Sequence, residues 1–317
     1  MSDRAAIGVD TGATRTRAGI VDERGQVLMR TERPTDPLAG TKGIIAVVED
    51  LLERDADLDV KVECVGVGAA GFVDFPRGAV TFSPNLIYDD PFIRDAVESR
   101  TNLPVVVEND ANVAAWGERA FGLAQGTSEL ALITLGTGIG SGFVVNGRLL
   151  RGYGGAAAEL GHMVIDPDGP ECKCGLRGCL EQLASGQALA RMGREAVEQD
   201  PRSSILSFAG SADSITAEHV ARAGREYDET ARTVLRRAGR SLGIGLSNVA
   251  NIFDPEVIVL AGGVVGAGEA YLGAVRDQLV AMTEAQKRRP MRLDVTSLGK
   301  DMGIIGAAAL ALDESST

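Results

Sequence analysis

Two stretches of this 317-residue chain follow one plan, and that repetition limits the fold more than any other feature. The first, Ala6–Ile20, is an apolar run interrupted by Asp10-Thr11-Gly12-Ala13-Thr14 and then resumed; the turn Asp22-Glu23-Arg24-Gly25 and a third run from Gln26 follow. The second, Leu130–Leu150, enters the glycine-rich turn Gly136–Gly142 from Leu130-Ala131-Leu132-Ile133. It leaves as Phe143-Val144-Val145, turns at Asn146-Gly147 and continues as Arg148-Leu149-Leu150. Asn-Gly between apolar runs is a strong short-range hairpin signal. Strand, Thr-Gly turn, strand, turn, strand, written twice, predicts a duplicated architecture with a cleft between its halves. The loop lengths differ, so the repeat is one of topology.

Between the copies the pattern predicts a helix over Thr41–Arg54, a strand Val62–Gly68, a helix Pro91–Arg100, a strand Pro104–Glu108 and a helix Ala111–Phe121. Strands alternating with helices mean an α/β fold with a largely parallel sheet. Beyond residue 180 the reading is mainly helical, with an apolar stripe over Tyr227–Phe253, then strands Glu256–Leu260 and Leu293–Leu298. A small-residue helix over Gly303–Leu312 is expected to return to the first half. The length suits two domains, and the duplication sets their limits: residues 1–117 with 300–317 as a small α/β domain, and 118–299 as a large one.

Composition removes several function classes. A net charge of −12 and the absence of a basic run argue against nucleic acid, whose phosphates need a positive face. Lysine occurs only at positions 42, 61, 173, 287 and 300, so arginine carries most of the positive charge; a salt-rich cytoplasm and a codon bias account for this equally. The longest apolar stretch, Met302–Leu312, is too short for a bilayer, and the first residues lack the pattern of a secretory signal. No membrane partner and a cytoplasmic location are expected. Glycine supplies 40 residues without a collagen period, which marks many sites of positive φ or close approach.

Histidine and cysteine are scarce, and their placement is informative. His162 is followed by Cys172-Lys173-Cys174-Gly175-Leu176-Arg177-Gly178-Cys179, using one of two histidines and three of four cysteines. Thiolates and imidazole suit tetrahedral Zn²⁺, and a closed Cys₃His set is a structural site. The second signal is the pair of Gly-Thr turns. Glycines let backbone N–H groups point at phosphate oxygens, threonine hydroxyls add donors, and a strand-end carboxylate such as Asp10 can hold Mg²⁺ through water. Together they predict a nucleotide gripped from both sides, with Gly262-Gly263 offering a close approach to a flat base. The third is Glu108-Asn109-Asp110 at a strand end before a helix, where helix capping and a catalytic base are both readings of the same residues.

Two patterns are decoys. Gly66-Val67-Gly68-Ala69-Ala70-Gly71 matches a dinucleotide fingerprint, but Phe72-Val73-Asp74 rather than a helix follows. Asp10-Thr11-Gly12 has no second copy to form a protease dyad. Walker and protein-kinase signatures are missing.

Taken in order, Gly8–Thr14, Ser83-Pro84-Asn85-Leu86, Asn109-Asp110-Ala111-Asn112, Leu135–Gly142, Glu159-Leu160-Gly161-His162, the cysteine run through Glu181 and Ala261-Gly262-Gly263 resemble the ROK family of sugar kinases and repressors, its glucokinase-like members above all. The resemblance covers essentially the whole chain. It implies the duplicated actin-like ATPase (ribonuclease H-like) fold and ATP-dependent phosphorylation of a hexose 6-hydroxyl, most directly glucose. Asp110 would be the general base, with Asn85, Asn109, Glu159, His162 and Glu181 on the other hydroxyls. Nucleotide and Mg²⁺ contacts would fall to Asp10, Thr11, Gly12, Thr14, Thr137, Gly138, Gly262 and Gly263. Zinc would sit on His162, Cys172, Cys174 and Cys179, with the other ring nitrogen of His162 facing sugar, and a homodimer or homotetramer is the family habit.

The chain departs from the family where Gly12-Ala13-Thr14-Arg15 replaces Gly-Gly-Thr-Lys, and where Ile87-Tyr88-Asp89 follows Ser-Pro-Asn-Leu in place of Pro-Gly-Trp. The second change keeps N-acetylmannosamine, fructose and other hexoses open. A sugar-responsive repressor is the alternative from another class, but family repressors carry a helix-turn-helix before the first phosphate strand, which here begins by about residue 5.

Overall fold

The computed structural model describes residues 3–55 and 58–315. Chain order is β1 (Asp3–Thr11), β2 (Arg15–Asp22), β3 (Val27–Pro34), α1 (Gly40–Leu52), β4 (Val60–Ala69), β5 (Phe72–Asp74), β6 (Ala79–Phe82), α2 (Ile93–Thr101), β7 (Val105–Asn109), α3 (Asp110–Phe121), β8 (Leu130–Leu135), β9 (Ile139–Val145) and β10 (Arg148–Leu149). Then come α4 (Glu181–Ala184), α5 (Gly186–Gln199), α6 (Ser204–Ala209), α7 (Ala217–Arg225), α8 (Glu229–Phe253), β11 (Val257–Ala261), α9 (Glu269–Met282), α10 (Glu284–Arg288), β12 (Arg292–Val295) and α11 (Met302–Glu314).

The expected duplication is a pair of sheets with matching orders. One runs β3-β2-β1-β4-β7 and the other β10-β9-β8-β11-β12. In the first, β1 and β2 pair antiparallel, as do β2 and β3, while β4 lies parallel to both β1 and β7. This is the two-sheet α/β layout of the actin-like ATPase fold.

By their contacts the residues form two compact units: Met1–Leu130 with Gly142–Ala158 and Thr296–Thr317, and Ala131–Ser141 with Glu159–Val295. The boundary differs from the one drawn on the sequence, because residues 118–130 and 142–158 pack with the first unit. A cut after residue 117 would split α3, whose Glu118 is fully buried and accepts from the Leu123 N–H and the Thr296 hydroxyl.

In the first unit, period-two alternation puts Ala5, Ile7 and Val9 of β1 and Val65 and Val67 of β4 in one apolar layer with Ile44, Val47, Ile93 and Val97 of α1 and α2. The opposite face carries Ala6 and Cys64 against Ile304, Ala308 and Ala311 of α11. That helix therefore returns to the first half, as expected. Gly8 and Gly66 alternate onto the same face, where a β-carbon would collide with the α11 carbonyls of Ile304 and Ala307. Gly66 and Gly68 of the apparent dinucleotide fingerprint lie within β4, with β5 next; Gly66 serves helix packing.

Other sequence expectations shift at element ends. The helix expected from Tyr227 begins at Glu229, because Tyr227 has φ +65° and Asp228 caps α8 by accepting from the Ala231 N–H at 2.9 Å. The strand expected to reach Leu298 stops at Val295, since the Thr296 hydroxyl accepts from the Leu298 N–H at 3.1 Å and turns the chain. No helix among the described residues is long and apolar enough to cross a membrane.

Candidate functional site

The sequence-predicted residues divide between the units. Asp10, Thr11, Gly12, Thr14, Asn85, Asn109 and Asp110 belong to the first; Thr137, Gly138, Glu159, His162, Glu181, Gly262, Gly263 and the three clustered cysteines belong to the second.

In the first unit the turn expected to hold phosphate joins β1 to β2. It is closed by the Gly12 N–H on the Arg15 carbonyl at 3.0 Å, and Thr35 braces it by donating its hydroxyl to the Gly12 carbonyl at 2.8 Å and its N–H to the Thr14 carbonyl at 3.0 Å. Ala13 and Thr14 are exposed, whereas Thr11 is buried and its hydroxyl has no hydrogen-bond partner. Asp10 sits at the end of β1. Burial pushes its carboxyl above the ordinary carboxylate range, and Arg17 only partly opposes this. A partly buried carboxylate disfavoured as an anion is a fitting ligand for a cation, because a positive ion restores the charged form. Gly303, in the first turn of α11, leaves room for it: a β-carbon there would lie 2.7 Å from the Asp10 Cγ.

The turn that carries the expected base, Asp110, follows β7. Asn109 caps α3, its Oδ1 accepting from the Ala111 N–H at 2.9 Å and the Asn112 N–H at 3.1 Å, while its Nδ2 donates to the Gly71 carbonyl at 3.1 Å. Capping is therefore real, and one Nδ2 hydrogen is left over for a ligand. Asp110 is the first residue of α3, where the helix dipole favours its charge. Tyr88, nearly buried and donating to the Ala70 carbonyl at 3.2 Å, has its hydroxyl held neutral by burial and further by the Asp110 charge. Asn85 is exposed after β6. Its loop is fastened to α1, since Asp89 accepts from the Thr41 N–H at 3.1 Å and the Gly40 N–H donates to Ile87 at 3.0 Å.

The second unit holds the cysteine cluster. The ligand atoms of His162, Cys172, Cys174 and Cys179 all lie within 4.8 Å of one another. Cys172 Sγ is 3.7 Å from His162 Nδ1, and Cys174 Sγ is 3.6 Å from Cys179 Sγ. Ligand atoms on a tetrahedral zinc with Zn–S of about 2.3 Å stand roughly 3.8 Å apart, so the donor set fits the ion in kind and spacing. Burial pushes the Cys179 thiol up to about 12, with the neighbouring cysteines adding, whereas a hydrogen bond from the Leu176 N–H pulls Cys174 down. Hydrogen bonds at Cys172 N–H to Leu176 (2.8 Å) and Gly178 N–H to Pro170 (2.8 Å) wrap the loop. Gly178 adopts φ +67° directly against the Asp166 carbonyl, where no side chain fits.

With Nδ1 turned to Cys172, the His162 ring has Nε2 remaining. At the loop's ends, Glu159 is an exposed residue whose carboxyl is nonetheless raised by partial desolvation; His162 lowers it and the charge of Glu181 adds to the rise. Glu181 follows Cys179-Leu180 and accepts from the Ile139 N–H at 2.9 Å. It occupies the space a β-carbon on Gly138 would need, so the second Gly-Thr turn and the end of the cysteine loop are tied together by one carboxylate.

Next to that turn is a cavity of about 470 Å³ lined by Gly136, Thr137, Gly186–Ala190 without Ala188, Ile215–Glu218, Ala221, Gly263, Val264 and Ala267. Its size falls within the range of small-molecule sites. Thr137 and Gly263 were expected there. The wall from α5 and α7 was not: its only sequence mark is Thr216 with His219, which form a capping box at the start of α7. His219 is thereby structural, as is Cys64 in the core of the first unit.

Comparison with known proteins adds to this geometry. The ROK family model matches residues 6–314. The chain is 39% identical over 311 residues to a glucokinase of Streptomyces coelicolor, covering 96% of each. It is similar to the crystal structure of a ROK family glucokinase from Streptomyces griseus in complex with glucose and AMPPNP, with a TM-score of 0.84, 40% identity and coverage of 98% and 99%. It is also 28% identical to the xylose repressor of Bacillus subtilis, over 97% of this chain and 77% of that protein.

Proposed function

This chain belongs to the ROK family, and on that footing we infer that it transfers the γ-phosphoryl group of ATP to the 6-hydroxyl of glucose. The observation that carries this reading is its 40% identity, along 98% of its length, to the glucokinase whose structure contains glucose and an ATP analogue. It is an ATP-dependent sugar kinase. In this reading Asp110 takes the proton from the 6-hydroxyl as the oxygen attacks phosphorus, with Asn85, Asn109, Glu159, His162 and Glu181 sorting the remaining hydroxyls. A polyol epimer is rejected because it leaves such groups unpaired.

The apolar and backbone-lined cavity of the second unit suits the adenosine of ATP, with Thr137, Gly138, Gly262 and Gly263 beside it. Thr11 and Thr14 offer hydroxyl donors to the phosphates, and Gly12, whose N–H closes the turn on Arg15, lets the backbone approach them. Asp10 would hold Mg²⁺, which when bound supplies positive charge against the phosphate oxygens. His162, Cys172, Cys174 and Cys179 would hold Zn²⁺, which when bound supplies shape to the loop rather than a reactive ligand. A cytoplasmic setting, where thiols stay reduced, and a homodimer or homotetramer belong to the same proposal; sedimentation velocity reads the latter.

The repressor reading has one observation behind it, the likeness to the xylose repressor, at lower identity than the kinases. A coupled ADP-release assay over glucose, mannose, fructose and N-acetylmannosamine separates the readings. Glucose-dependent ADP release, with the product oxidised by glucose 6-phosphate dehydrogenase, is expected. Release with none of these sugars overturns the kinase assignment.

A further inference from the structure

Glu108 lies in the core of the first unit, only 2% exposed. Its Oε1 accepts from the Asn109 backbone N–H at 2.9 Å and from Asn112 Nδ2 at 3.0 Å. Its Oε2 accepts from Arg151 Nε at 2.6 Å. The Arg151 guanidinium lies 3.6 Å from the centre of the Phe75 ring, and its far end is 3.6 Å from Glu314. A carboxylate this deeply buried is tolerated only when paired and hydrogen-bonded. Arginine's planar fork does this while stacking on an aromatic face, which a lysine ammonium reproduces only as a point charge.

The partners matter because of where they lie. Asn109 and Asn112 bracket Asp110 along the chain, and both are held by the same Glu108 oxygen. We infer that Glu108 and Arg151 are positioning residues for phosphoryl transfer. Glu108 holds the Asn109 backbone N–H and the Asn112 side chain on either side of Asp110, and Arg151, stacked on Phe75, pins Glu108 by fixing its second oxygen. Neither residue needs to touch sugar or nucleotide. The inference rests on the kinase reading with Asp110 as base. Its physical content is that loss of Arg151 lets the turn around Asp110 drift without removing any group that binds the hexose. Misplacement of a reacting group by about 1 Å costs roughly 100-fold in rate.

The chain's single tryptophan, Trp116, lies on α3 and donates Nε1 to Asp313 at 2.9 Å, so its fluorescence reports on the helix that Asp110 begins. The test compares wild type, Arg151→Met, Arg151→Lys, Glu108→Gln and Asp110→Asn in steady-state kinetics with glucose and MgATP, and in glucose titrations of Trp116 emission. Arg151→Met should lower kcat by about 10- to 100-fold while glucose KM and titrated affinity stay within about twofold. Arg151→Lys should recover most of that loss. Adding Glu108→Gln to Arg151→Met should cost far less than the product of the two single effects, since both act through one device. Equal losses of kcat and affinity, a kcat unchanged in Arg151→Met, or no recovery with lysine overturns the inference. Wild type without glucose-dependent ADP release, or an active Asp110→Asn, overturns instead the reading beneath it, and the two failures are thereby told apart.

Discussion

In the proposed reading the turn around Asp110 in the first unit, the base turn, and the loop Glu159–Glu181 in the second, the sugar loop, are two solutions to one problem, holding polar groups still enough to recognise a polyol. The base turn is held by the polypeptide alone: a strand end, a helix cap, and a buried carboxylate shared by Asn109, Asn112 and Arg151. The loop from Glu159 to Glu181 is held differently: between residues 163 and 180 it has isolated β-bridges and turn hydrogen bonds rather than a strand or a long helix, and it gathers the Cys₃His set. In the proposed reading a metal on that set adds to those turn bonds in ordering the loop. The difference implies a division of labour in which damage to the base turn falls on kcat and damage to the loop falls on sugar affinity.

The largest expected effect breaks the first side. Asp110→Asn keeps the cap and the shape but removes the base, and kcat should fall by about 10²- to 10⁴-fold with glucose affinity retained; stopped-assay turnover beside calorimetric glucose binding checks both. The second side is tested at Gly138. An alanine there displaces the Glu181 carboxylate from the Ile139 N–H, and losing a hydrogen bond from a charged group should raise glucose KM by roughly 10- to 100-fold with a smaller change in kcat. A rise confined to kcat would collapse the distinction.

Gly303→Ala sharpens the first side further. Its β-carbon would crowd Asp10 at 2.7 Å, and a drop of about tenfold in kcat with a raised Mg²⁺ requirement is expected, read from Mg²⁺ titrations at fixed ATP. The smallest effect concerns pH. Burial raises Asp10 in the folded chain above its unfolded value, so folding favours its neutral form. The stability this brings is present at low pH and lost as pH rises through the raised folded value. Asp10→Asn cannot ionise and should flatten that part of the curve, by about 2–4 °C in Tm between acid and neutral pH in magnesium-free buffer. Identical slopes would mean that Asp10 carries no burial penalty.

Much of this was legible because local chemistry and long-range role coincide. The Asn-Gly hairpin, the alternation in β1 and β4 and the apolar stripe of α8 are written in neighbouring residues, and the ligand set from His162 to Cys179 is nearly contiguous. The limits were contacts between distant positions. Nothing near Gly8 or Gly66 announces α11, which lies more than two hundred residues on in sequence, so the expected close approach at glycines carried no sign of which helix makes it. The glycine-rich turn at 136–142 is shorter than its composition indicates because β9 already begins at Ile139; Gly142 meets the Ala111 carbonyl there. The cavity wall of Ile215 to Ala221 looks like an ordinary amphipathic helix. Arg151, an unremarkable arginine after a short strand, acquires its meaning only from Glu108, 43 positions away.

In the proposed reading the zinc-bound loop sets sugar affinity while the metal-free turn sets the rate. The most direct test is calorimetric glucose binding to zinc-loaded protein and to the same protein after zinc removal. The account predicts at least about tenfold weaker binding after removal, restored by adding Zn²⁺. Equal affinity in the two forms would contradict it.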